Sequence, residues 1–120
     1  MEKDLRVRSF QFGVAIINFC NILPNKSIYW PVRDQLLRSA TSVGANIIEA
    51  KSSPSKKDFL HFYTIALKSA NETVYWLNML KESDLKLGVD IDLLNNLLFE
   101  LDEVCRMLGR SVITMKKSLN

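Results

Sequence analysis

Residues 91–119 read IDLLNNLLFELDEVCRMLGRSVITMKKSL, and the spacing of their apolar side chains decides the fold. Ile91, Leu94, Leu98, Leu101, Cys105, Leu108, Val112, Met115 and Leu119 alternate steps of three and four. That alternation is the a/d seam of a helix lying nearly parallel or antiparallel to its neighbours, because it keeps one narrow stripe facing a partner. Asp90 is suited to cap the start, and Gly88 before it suits the end of the preceding element. Acids (Asp92, Glu100, Asp102, Glu103) come first and bases (Arg106, Arg110, Lys116, Lys117) last, as the helix dipole favours. Gly109 interrupts the helix at a cost of about 1 kcal/mol relative to alanine, which predicts a close contact there. The expected helix covers about residues 90–117.

Three more helices follow from the same test. One over 55–82 begins at Ser55, with Asp58 three residues on as a variant of the capping box. Phe59, Phe62, Ala66, Ser69, Thr73, Trp76 and Leu80 form one stripe on it, flanked by Tyr63, Leu67, Ala70, Val74 and Leu77. Another over 31–52 opens with Pro31 and has Asp34 in its first turn. Leu36, Ala40, Val43, Ile47 and Ala50 are its seam, and Ser52-Ser53-Pro54 ends it. The first, over 4–22, carries two stripes: Phe10, Val14 and Ile17, then Phe12, Ile16, Phe19 and Leu23. Short connections make consecutive helices antiparallel. The expectation is one all-α domain over 1–120, an up-down-up-down four-helix bundle. Helices one, three and four are apolar over more than one core face requires, which predicts self-association into a homo-oligomer.

Composition narrows the function by exclusion. The 120 residues suit one domain, and 48% hydrophobic with 24% charged residues suits a chain that builds a core. Only 4 Gly and 3 Pro argue against a turn-rich or collagen-like fold. Cys20 and Cys105 fit neither a disulfide framework nor a metal spacing, and His61 is the lone histidine. Both cysteines are expected to pack as small apolar residues in a reduced protein. Gly13 to Leu23 lies behind Lys3, Arg6 and Arg8 like a signal segment, but Asn18 and Asn21 interrupt it and it is too short to cross a bilayer. A cytoplasmic protein without a membrane partner is expected. A phosphate-binding glycine loop, a nucleophile elbow and a His-Glu-x-x-His motif are all missing from the sequence, so neither enzyme activity nor a cofactor is expected.

Two polar features stand apart from core packing. On the second helix Gln35, Ser39, Ser42, Asn46 and Glu49 each precede a seam position, forming a polar stripe beside the apolar one. Ser69, Glu72 and Thr73 lie at matching depth on the third helix, and Arg38 is placed to meet Glu72. A catalytic or metal-holding pair of Glu49 with Glu72 is one reading, but a di-metal bundle wants Glu-x-x-His motifs and more carboxylates. The preferred reading is a buried hydrogen-bond network that fixes helix register or subunit contacts.

The second feature is charge. The assumed topology gathers Lys3, Arg6, Arg8, Lys51, Lys56, Lys57, Arg110, Lys116 and Lys117 at one end, with Glu2, Asp4, Glu49 and Asp58. Nine bases against four acids give a formal +5. At the other end Lys26, Arg33, Lys81 and Lys86 meet Asp34, Glu82, Asp84, Asp90 and Asp92, four against five, or −1. In a cyclic oligomer such an end becomes a basic ring able to hold phosphate backbones non-specifically. Aromatic residues there are few (Phe10 and Phe59), so structured nucleic acid, RNA first, fits better than a stacked single strand. Lys56, Lys57, Lys116 and Lys117 are the first candidates for phosphate contact, followed by Arg6, Arg8 and Lys51. The alternative is a protein-interaction scaffold that uses the apolar stripes.

The run Gln35-Leu36-Leu37-Arg38-Ser39-Ala40-Thr41-Ser42-Val43-Gly44-Ala45-Asn46-Ile47-Ile48-Glu49-Ala50 resembles the signature of a bacterial four-helix-bundle family. That family is named for reading frames in intervening sequences of 23S rRNA genes. The likeness continues through Ser55-Lys56, Asp58-Phe59, Ile65-Ala66-Leu67-Lys68, Glu72-Thr73 and Tyr75-Trp76-Leu77. It implies a non-enzymatic bundle that assembles as a cyclic homopentamer. The chain is also similar to the accessory bundle proteins of diversity-generating retroelements, which bind nucleic acid and a reverse transcriptase through a basic surface. The signature residues correspond here to Arg38, Ser42, Asn46, Glu49 and Glu72, which lie in or beside the polar stripe. Ala40 stands where many relatives have glycine, and Lys57 where a small residue is usual.

Overall fold

Local side-chain caps fix where two of the helices start. The Ser55 hydroxyl accepts from the Asp58 amide at 3.1 Å and bonds the Asp58 carboxylate at 2.9 Å. Asp90 Oδ1 accepts from the Leu93 amide at 3.0 Å, occupying one of the donors a helix start leaves unpaired. A computed structural model, which describes residues 2–119, accordingly shows α1 (Glu2–Ile22), α2 (Trp30–Lys51), α3 (Lys56–Glu82) and α4 (Ile91–Leu119). Short 3₁₀ turns at Ser27–Tyr29 and Asp84–Gly88 precede α2 and α4. The described residues contain four α-helices and no strand, an architecture compatible with a four-helix bundle and extending 48 × 20 × 20 Å. Because α2 starts at Trp30, Asp34 falls just beyond its first turn.

The seam read on α2 is buried at all five positions, joined by Ser39. On α1 only one of the two stripes is core. Phe12, Ile16, Phe19 and Leu23 are buried with Leu5 and Cys20, whereas Phe10 is 71% exposed and Val14 and Ile17 are also exposed. On α3 the buried line runs between the two stripes, through Tyr63, Ala66, Ala70, Thr73, Leu77 and Leu80. Phe59, Phe62, Leu67, Val74 and Trp76 flank it, half-buried. On α4 Leu97, Val104 and Met107 are buried beside Leu94, Leu101, Leu108 and Val112, while Leu98 and Cys105 are half-buried and Leu119 is exposed. Every helix packs on two neighbours, which lets a buried strip be wider than one a/d line.

The two glycines singled out on α4 and before it behave differently. A Cβ on Gly109 would meet nothing within 4 Å, so the close contact expected there does not exist. A Cβ on Gly88 would lie 2.5 Å from Tyr29 Oη and 3.0 Å from Pro24 Cγ. Tyr29 Oη donates to the Leu85 carbonyl at 2.9 Å, which ties the connection before α2 to the one before α4. Both cysteines are free thiols; Cys20 is buried and Cys105 half-buried. Burial pushes each thiol up to about 11. Among the described residues no helix is long and apolar enough to cross a membrane.

Candidate nucleic-acid interface

The polar stripe lies where α2 meets α3. The hydroxyls of Ser39 and Thr73, both fully buried, are bonded at 2.9 Å, and those of Ser42 and Ser69 at 3.0 Å. Asn46 Nδ2 donates to the Ser42 carbonyl at 2.8 Å and to its hydroxyl at 3.0 Å. Nearer solvent, Arg38 pairs with Glu72 and donates to Gln35 Oε1, while Trp76 Nε1 donates to Glu72 Oε2 at 2.9 Å. The network therefore links Gln35, Arg38, Ser39, Ser42 and Asn46 with Glu72 and its neighbours on α3. Glu49 stands apart. It is exposed and eleven residues beyond Arg38, roughly 16 Å along the helix, so Glu49 and Glu72 do not meet as a carboxylate pair. The Glu72 charge is met by Arg38 instead.

At the opposite end from Tyr29, the end of α2, the start of α3 and the end of α4 converge. Lys56 Nζ donates to the Ser118 hydroxyl at 3.4 Å across the gap from α3 to α4. Ala50, Lys51, Ser53, Lys56, Thr114 and Ser118 border one cleft of about 470 Å³. Lys51, Lys56, Lys57, Lys116 and Lys117 are all exposed, and none belongs to the ion pairs found among the described residues. Asp58, the acid closest in sequence to Lys56 and Lys57, is engaged by Ser55. Lys51 and Lys56 thus share the cleft, and Lys57, Lys116 and Lys117 are exposed beside it in sequence.

Two other candidates lie elsewhere. Arg8 does not join the lysines of that end: its guanidinium lies 3.4 Å from Glu100 Oε2 and 3.6 Å from Met107 Sδ. It sits along the middle of α4, whose last three turns or so extend beyond it. The heptad pattern carries no information on such axial offset, which is why topology alone grouped Arg8 with the end. Arg6 is half-buried and borders a groove between α1 and α2. The side chains of Glu2 and Lys3 lie outside the described residues.

That second groove, about 460 Å³, was not located by pattern reading. Phe10, Val14, Ile17 and Ile48 wall it, with Gly13 and Gly44 among its lining residues. Its sequence signal is the shorter α1 stripe together with small residues on both helices. Near Gly44 the helices come close, since a Cβ there would lie 3.7 Å from the Ser9 backbone.

Comparison with known proteins agrees with this architecture. The profile of the 23S rRNA-intervening sequence protein family matches residues 2–110. Among solved structures, a protein of unknown function from the S23 ribosomal protein family of Bacteroides thetaiotaomicron VPI-5482 is 32% identical, with a TM-score of 0.83. The match covers 92% of this chain and 96% of that one. No curated protein matches the sequence.

Proposed function

We propose, on the premise that the chain belongs to the 23S rRNA-intervening sequence protein family, that it is a non-enzymatic bundle binding structured nucleic acid through its basic end. RNA is the first candidate, no cofactor takes part, and the working site is the cytoplasm. One observation carries the reading: Lys51 and Lys56 border one cleft where α2, α3 and α4 meet, and they and the neighbouring Lys57, Lys116 and Lys117 are exposed and without ion-pair partners among the described residues. Unpaired cations gathered on one surface release counterions from a phosphate backbone on binding, which favours association without base readout. The engagement of Glu72 by Arg38 and Trp76 removes the support for a catalytic or metal-holding pair with Glu49.

The same proposal includes up-down-up-down topology and a cyclic homo-oligomer, a pentamer by family resemblance. Residue numbers that rise along α2 meet falling numbers on α3, Ser39 with Thr73 and Ser42 with Ser69, which supports antiparallel neighbours. Exposed Phe10, Val14, Ile17 and Ile48 beside one groove favour self-association and, as a second reading, a protein-interaction scaffold.

Fluorescence anisotropy against a labelled RNA hairpin and a DNA duplex of equal length, titrated with salt, tests the main reading. Binding should weaken steeply as salt rises. The double change Lys56→Glu with Lys57→Glu should lower affinity and flatten the plot of log K against log salt by about two, with helicity unchanged. Unchanged affinity in that variant would count against the basic end. A protein co-purifying from the native host without nucleic acid would favour the scaffold.

A further inference from the structure

We propose that the cleft at the basic end accepts a single unpaired nucleotide of a structured RNA, with its base against Phe59 and its phosphate on Lys51 and Lys56; this rests on the nucleic-acid reading above. The cleft, about 470 Å³, falls in the range of roughly 300–1,000 Å³ that small ligands occupy. An adjoining cleft of about 450 Å³ shares Phe59, Thr114 and Met115 with it, so the two form neighbouring hollows over one floor. That floor is apolar, with Phe59 and Met115 both half-buried against the core. The rim is cationic, with Lys51 and Lys56 exposed.

This division between floor and rim matches the chemistry of a nucleotide, whose base has an apolar face and whose phosphate is charged. Phe59 is held in place by its stack on Tyr63, centroids 4.6 Å apart at 29°. A single ring on the floor suits one splayed-out base and not a run of stacked ones. Lys57, Lys116 and Lys117 lie outside the cleft, free to meet phosphates of the flanking helix. Sequence-independent duplex contact and capture of one unpaired nucleotide then belong to one surface.

The test compares an RNA hairpin carrying one bulged 2-aminopurine with the same hairpin lacking the bulge. The bulged hairpin should bind about tenfold tighter at physiological salt, with a change in 2-aminopurine fluorescence on binding. Thr114 is exposed at the mouth of the cleft, so Thr114→Trp fills the space without disturbing the core. That variant should lose the preference for the bulge and keep its affinity for the unbulged hairpin. Equal binding of both hairpins by the unmodified protein, with steep salt dependence, would overturn the cleft and leave the basic end standing. A preference that survives in Thr114→Trp would also overturn it. Binding to neither hairpin at low salt would remove both readings.

Discussion

Gly88 and Gly109 are the same residue type under opposite constraints, and substitution should separate them. The space around the missing Gly109 Cβ is open within 4 Å, so Gly109→Ala meets no atom and gains helix propensity. It should stabilise the protein by roughly 0.5–1 kcal/mol, raising the melting temperature by a few degrees. Gly88→Ala places a carbon 2.5 Å from Tyr29 Oη, so the hydroxyl must leave the Leu85 carbonyl or the backbone must shift. A cost of roughly 1–3 kcal/mol is expected, smaller when introduced into Tyr29→Phe, as denaturant unfolding of the unmodified protein and the three variants would show. The cysteines make a separate residue-scale case. With both thiols raised to about 11 from 9.0, the folded protein retains protons that the unfolded chain releases. Their contribution to stability is complete below pH 9 and is lost as pH climbs towards 11. At pH 8 their thiolate fraction is about a hundredfold below that of a free cysteine, so disulfide-exchange labelling should be slow until denaturant is added.

At the scale of the elements, the α2–α3 contact has the strongest internal logic. Ser39 and Thr73 are completely buried and bonded to each other, with Ser42 and Ser69 one turn along. Ser39→Ala should cost about 1–2 kcal/mol, and Thr73→Val about the same, because a hydroxyl loses its cross-helix partner in each. The double variant should cost less than the sum, with a coupling of about 0.5–1.5 kcal/mol read from chemical denaturation. Strict additivity would mean that the hydroxyls do not set the register. This contact was largely legible in the chain, because α2 has one apolar seam and the polar positions keep its period. The α1 core face was harder to read, since Phe10, Val14 and Ile17 keep helical spacing as well as Phe12, Ile16, Phe19 and Leu23 do. What separates the two is length: Leu5, Ser9 and Cys20 extend the buried stripe over the whole helix, and Ser9 is tolerated there by donating to the Leu5 carbonyl at 2.6 Å. Chain order was enough to bring Lys51 and Lys56 to the end where α2, α3 and α4 meet, but the offset that puts Arg8 against Glu100 is a property of packing. The stripe that walls the α1–α2 groove was visible in the chain, but the shape of neither cleft was, because each depends on the angle and offset at which separate helices meet.

For the whole molecule, the shorter α1 stripe and the lysine cluster have a joint consequence. Phe10, at 71% exposed, and Ile48, at 53%, border a groove whose lining includes two glycines, a surface suited to close approach by another helix. Glutamate at Phe10 would place a charge where association requires dehydration, while the core, which Phe10 does not enter, would be untouched. Phe10→Glu should therefore sediment as a monomer with unchanged circular dichroism, against an oligomer for the unmodified chain. A monomeric unmodified chain would remove the self-association premise. Cyclic symmetry sets equivalent points at equal height, so an oligomer presents its basic ends together, and an RNA long enough to touch several of them binds with an effective concentration that one copy lacks. A hairpin short enough to touch one end gains nothing from the assembly. Phe10→Glu should consequently weaken binding of a long structured RNA by about a hundredfold or more and leave the short hairpin almost unaffected. Equal weakening of the two would instead locate the Phe10 side chain within the binding surface, since avidity cannot act on a ligand that reaches only one copy.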